Sequence, residues 1–189
     1  MLKKSLVALC AFTSFSFAQN ALELNINDES LEIGFEAHLN YYASLDPAST
    51  YKYSINYLKV DDKPNIFRTG FMISNPYPGL RGVSFGTGLK YVYAKDSDAS
   101  KKFHAIALML SSDIDLSDSL FLNIDFGYSP SALSFSDAKG YIEYGAKINF
   151  KIVTSAYLYA GYRYQKTKYE NIGTVKYDDS FMFGIKFLF

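Results

Sequence analysis

The chain has no tryptophan and a single cysteine, Cys10, among its 189 residues. One cysteine excludes an internal disulfide, so whatever holds the fold is non-covalent. Long apolar runs are missing too. Beyond the N-terminal segment the longest is 105–110, far short of the roughly 18–20 residues a membrane helix needs. An excess of one charge is also absent: 19 basic side chains meet 19 acidic ones, and nothing resembles the basic patch that a nucleic-acid partner requires. No Gly-rich phosphate loop or nucleotide fingerprint occurs. Histidine is limited to His38 and His104. No stretch carries a helical apolar period strong enough to compete with a strand pattern.

The N-terminus has the three-part plan of a secretory signal. Lys3 and Lys4 form a short positive region, residues 5–17 are apolar or small, and Ser16-Phe17-Ala18 places small residues where a signal peptidase reads. Cleavage is expected after Ala18, giving a signal peptide over 1–18 and one domain over 19–189. Cys10 sits too early, behind Leu9, for a lipoprotein signal. Its removal with the signal leaves a cysteine-free chain for the oxidising periplasm.

Period two dominates the remainder. Over 180–189, Phe181, Phe183, Ile185, Phe187 and Phe189 fall on one face, and Ser180, Met182, Gly184, Lys186 and Leu188 on the other. The same division recurs over 31–42, 51–58, 67–74, 83–94, 103–112, 120–128, 142–150 and 157–165, with a shorter piece at 22–27. Mean hydropathy is −0.04, as expected of strands whose two faces cancel. These segments predict an all-β transmembrane up-and-down antiparallel barrel of ten strands, with eight as the alternative, because single-chain bacterial barrels have even strand numbers and both termini in the periplasm. The outer loops are predicted at 61–65, 95–102, 129–139 and 167–176, and the periplasmic turns at 46–49, 75–81, 113–117 and 151–154.

A soluble barrel would also alternate, with its apolar face inward. The rows of Phe, Tyr, Ile and Leu are bulkier than a closed barrel of this size can hold, so they are assigned to lipid. The other face mixes glycines with charges of both signs, which suits a narrow lumen. Desolvated charges must be paired, so Glu32, Glu36, His38, Lys52, Arg68, Lys90, Asp125, Glu143, Lys147, Arg163 and Lys186 are expected to form a luminal charge network. Tyr41, Tyr42, Tyr91, Tyr93, Tyr128, Tyr162 and Tyr164 read as an outer aromatic girdle.

The alternating Phe181, Phe183, Ile185, Phe187 and Phe189 at the C-terminus resemble the terminal signature of outer-membrane barrels, which implies recognition by the barrel-assembly machinery. A narrower likeness lies downstream. Tyr128-Ser129-Pro130, Leu133-Ser134, Tyr141, Glu143-Tyr144-Gly145-Ala146 and Gly161-Tyr162-Arg163-Tyr164 resemble the YfaZ family of outer-membrane proteins. That resemblance covers the last third strongly and the rest by architecture, while the Lys- and Asp-rich loops do not match. It implies an exported precursor and a small outer-membrane barrel, and it brings no activity with it.

Outer-membrane enzymes that modify lipid A need a His and a Ser in reach, with an acid orienting the His. His38 is expected in the lumen near Glu36 and Glu32, and His104 on the lipid side at the outer rim. Neither starts a His-x-Ser arrangement, so no enzyme is assigned. Asp96 with Asp98 and Asp178 with Asp179 would offer calcium only generic surface contacts, so no metal or cofactor is assigned. The partners expected are outer-membrane lipids and lipopolysaccharide, with the assembly machinery during insertion. Two functions are expected to compete: a structural or interaction barrel plugged by luminal salt bridges, and a narrow, porin-like passive channel.

Overall fold

The computed structural model describes residues 20–41, 45–61, 63–95, 102–170 and 173–189; the expected signal peptide lies outside them. The strands are β1 (Ala21–Ile26), β2 (Ser30–His38), β3 (Thr50–Val60), β4 (Asn65–Pro76), β5 (Val83–Lys95), β6 (Lys102–Ser117), β7 (Leu120–Ser129), β8 (Ser134–Ser136), β9 (Ala138–Val153), β10 (Ala156–Tyr169) and β11 (Gly173–Leu188). Each pairs antiparallel with its chain neighbour, and β1 pairs with β11 to close the ring. Three-residue β8 lies outside this scheme. It pairs only with β6, at Phe103–Ala105, covering the stretch of β6 that β7 does not reach. The result is a closed ten-stranded barrel. Asn20 and Phe189 exchange backbone hydrogen bonds at one end, 2.9 and 3.0 Å long. That end is periplasmic in barrels of this class.

Alternation explains the strands, and exposure shows which face looks outward. Phe181 is 74% exposed, Phe183 63% and Leu110 59%. Their luminal neighbours Met182 and Met109 are buried. An outward belt this apolar belongs in hydrocarbon, since soluble monomers rarely expose such patches.

Several strands outrun their expected ends. β6 absorbs 113–117 down to Ser117, and β10 and β11 absorb most of the expected 167–176 loop. For β10 and β11 the physical reason is an inversion of polarity at the outer end. There, Leu58, Val60, Val92, Phe103, Tyr169 and Tyr177 are buried inside, while Lys59, Lys102, Lys168 and Lys176 face out. Above the hydrocarbon the outer surface is polar, so the apolar side chains turn inward as in a soluble barrel. A search for greasy outer faces stops too soon.

The girdle needs one correction. Tyr41 ends a 3-10 turn (Leu39–Tyr41) that comes after β2, at the periplasmic end, because β2 runs away from the outer rim; Tyr42 lies outside the described residues. At the outer rim, Tyr93 and Tyr91 pack on His104 with ring centroids 4.9 and 6.0 Å apart.

Candidate functional site

The lumen has three tiers. The middle tier is a chain of six charges, five of them buried and Lys90 half-buried. Asp178 on β11 accepts a 2.7 Å hydrogen bond from Arg163 Nε on β10. Arg163 also donates to Glu32 on β2, whose second oxygen accepts from Arg68 on β4. Arg68 Nη1 lies 3.7 Å from Glu143 on β9, and Glu143 accepts from Lys90 on β5. Three cations and three carboxylates alternate, and every link after Asp178–Arg163 joins strands that are not neighbours in the ring. Tyr141 donates a 2.6 Å hydrogen bond to Glu143 and Gln165 one of 3.4 Å. Isolated buried charges would cost several kcal/mol each; this alternation gives each one a partner.

The periplasmic tier is wetter. Lys147 donates to Glu23 at 2.7 Å, Lys186 to Glu36 at 3.1 Å, and His38 Nε2 lies 3.1 Å from Glu36. Lys52 stands 3.8 Å from Asp113, which also accepts from Asn123 at 2.7 Å. Glu23, Glu36, Lys52, Asp113 and Lys147 border a cavity of about 190 Å³ that reaches up to Glu32, Arg68, Lys90, Glu143 and Arg163 of the middle tier. Asp125 lines it too, with no ion pair within 4.0 Å among the described residues.

The outer tier is apolar. Phe103 is fully buried, with Tyr141, Tyr169 and Tyr177 around it at centroid distances of 5.9, 6.2 and 5.6 Å. Leu58, Val60, Ile66, Val92, Ala94 and Ala138 belong to the same cluster, which continues down β6 through Ala105, Ala107 and Met109. The Tyr169 and Tyr177 hydroxyls bond to each other. This cap sits directly above the charge chain and shares Tyr141 with it.

The structure thus places all eleven residues expected of the charge network on the luminal side, links nine of them by ion pairs and His38 by a hydrogen bond to Glu36; Asp125 is the one left out. Sequence reading missed Glu23, Asp113 and Asp178. Asp178 had a signal: extending the face of Lys186, Gly184, Met182 and Ser180 by two residues points it inward. The notion that Asp178 and Asp179 share a surface calcium fails for the same reason. Asp178 is buried in the lumen, whereas Asp179 is outside and accepts from Lys176 at 2.8 Å. Consecutive strand residues face opposite sides. The inward turn of Tyr177 had no signal, because it depends on a bulge at Gln165/Lys166 that puts Tyr177 and Asp178 on the same side. Of the expected assembly signal, Phe181, Phe183 and Phe187 are exposed on the lipid face of β11. Phe189 lies 6.5 Å from Phe35.

Two luminal glycines make the tiers sterically feasible. A Cβ on Gly184 would meet the Tyr159 ring and the Leu24 carbonyl, and one on Gly127 would lie 2.7 Å from Glu143 Cγ. Gly184→Val is therefore expected to block closure where β11 meets β1 and β10. Overpacking alone costs about 1–3 kcal/mol, and here one of the obstacles is backbone. Loss of the fast-migrating folded band on unheated SDS gels would show it; a normal folded band would contradict it.

A family model described as YfaZ precursor matches residues 1–189, the whole chain. The chain belongs to the YfaZ family. No curated protein matches it in sequence. Among solved structures it is similar to the KdgM porin, with a TM-score of 0.51 at 9% identity, over 90% of this chain and 99% of that one. It is also similar to the outer membrane channel DcaP of Acinetobacter baumannii, with a TM-score of 0.49 at 12% identity, over 88% of this chain. It spans only about half of DcaP, 54%. At such identities the KdgM likeness speaks for the barrel fold alone. In this YfaZ barrel the same architecture encloses a bore crossed by ion pairs and topped by aromatic rings.

Proposed function

We propose that this YfaZ protein is an outer-membrane barrel with a closed lumen, acting through its wall and outer rim rather than by passing solutes. The observation that carries this reading is the stacking of the apolar cap around Phe103 on the six-charge chain from Asp178 to Lys90. An ion would have to break paired charges and then enter a dry aromatic layer. A porin-like passive channel is the second reading, and the charged luminal cavity, which reaches the middle tier, favours it. Conductance in planar bilayers separates the two.

Residues 1–18 would direct export through the periplasm, and the lipid-facing phenylalanines of β11 would serve the assembly machinery. On these grounds protein taken from outer membranes runs as a compact band on SDS gels and shifts only after boiling. Phe189→Ala lowers the amount of that band, because the terminal ring and its Phe35 contact are lost. Recovery of a detergent-free, sheet-rich monomer in buffer would overturn the membrane reading.

A further inference from the structure

The outward side of β9–β11 changes character in layers. At the bottom lies a shallow apolar depression over Ala160, walled by Ile148, Phe150, Leu158 and Phe183. Above it come aromatic rings: Tyr162 edge-on to Phe181 at 5.5 Å, then Tyr144 stacked on Tyr164 at 4.8 Å. Above these stand lysines. Lys166 and Lys176 are direct cross-strand partners, and Lys168 is exposed two residues further out.

Like charges directly opposite on paired strands repel. Both ammonium groups lean over the Tyr164 ring, at 5.5 and 5.7 Å, where the π face attracts cations. One carboxylate serves this group: Asp179, hydrogen-bonded by Lys176 and Tyr162. Its charge is thereby matched to Lys176. Lys166 and Lys168 have no carboxylate within 4.0 Å among the described residues. The patch therefore carries uncompensated positive charge, and an anion between Lys166 and Lys176 would relieve their repulsion.

Spacing identifies the anion's carrier. Lys166 is six residues above Ala160, roughly 20 Å along the strand, or about 15 Å along the membrane normal at the tilt of such barrels. The layers thus match a lipid in sequence: chains against the depression, sugar or ester level against the tyrosines, phosphate at the lysines.

We propose that the outward face of β9–β11 binds a phosphorylated glycolipid of the outer leaflet, its phosphate held by Lys166, Lys168 and Lys176 and its acyl chains lying in the depression over Ala160. This rests on the barrel standing in the membrane with its loop end outward. Aromatic faces such as the Tyr144–Tyr164 stack suit a sugar ring better than a bare acyl chain.

The test uses the full mature barrel in neutral phosphatidylcholine vesicles doped with a bis-phosphorylated glycolipid, or with its dephosphorylated form. After extraction into mild detergent, intact mass spectrometry counts the retained lipid. Wild type is expected to keep the phosphorylated lipid. Lys166→Gln with Lys168→Gln and Lys176→Gln is expected to lower retention on the order of tenfold or more, and the three Lys→Arg replacements to preserve it. Equal retention by the Gln variant, equal retention of the dephosphorylated lipid, no retention by wild type, or equally tight binding of the soluble deacylated headgroup would each overturn the proposal. The same samples are run unheated on SDS gels. A folded band without lipid retention defeats the lipid site alone, whereas no folded band defeats the membrane reading beneath it.

Discussion

Planar bilayers containing the purified barrel will show no unitary current steps, and removing either upper barrier alone will not produce them. The two barriers lie in series. Arg163→Ala with Glu143→Ala breaks the charge chain at two places, but Phe103, Tyr169 and Tyr177 still fill the bore above it. Phe103→Ala with Tyr177→Ala hollows the cap, but Arg68, Arg163, Glu32 and Glu143 still bridge the lumen beneath. All four substitutions together remove both barriers, and steps are expected only then. Heat-modifiable migration of each variant shows that a barrel is present, since Phe→Ala in a core costs about 3–5 kcal/mol. Steps from the wild type would overturn the closed-lumen reading in favour of a passive channel. Steps from the charge variant alone would show that the aromatic cap is permeable.

Glu32→Ala is expected to be the most damaging single change in the charge chain. Among the described residues Glu32 is the only carboxylate that pairs with both Arg163 and Arg68. Its removal sets two buried guanidiniums against each other, and stripping one partner from a buried pair costs about 3–5 kcal/mol. Lys90→Met removes an end of the chain rather than its middle. Its side chain is 19% exposed, and Glu143 keeps Arg68 and the Tyr141 hydroxyl, so a smaller loss is expected. Urea midpoints of the barrel refolded into detergent micelles would rank the two. A Glu32→Ala midpoint no lower than that of Lys90→Met would mean that water reaches the tier and screens it. That result would also weaken the case for a dry, closed bore.

Much of the barrel was legible in the residues. Strict alternation over the membrane-embedded parts of the strands identified the faces, because hydrocarbon accepts only apolar side chains on one side while a narrow lumen needs small and charged ones on the other. The same pattern gave nine strands or ten, and the even number of the class decided for including short β1, whose Leu22, Leu24 and Ile26 pair with Phe187, Ile185 and Phe183 on β11. The outer thirds of β10 and β11 were not legible. Outside the membrane the solvent on the outer surface changes, so Lys166 and Lys168 face out while Thr167 and Tyr169 face in. A pattern tuned to a greasy exterior reads that as loop.

What the sequence by itself determined is the class of object: an alternating chain, without a pair of cysteines to bridge, that can bury its backbone in a membrane only by closing on itself. Which charge meets which was decided by the tertiary structure alone. Glu32 and Arg163 are 131 residues apart and become partners only because β1 and β11 complete the ring. The Phe103 cap likewise depends on a bulge that turns Tyr177 inward. Periodicity is local and survives in one dimension, whereas partnership across a bore and the phase shift at a bulge exist only once the sheet has closed.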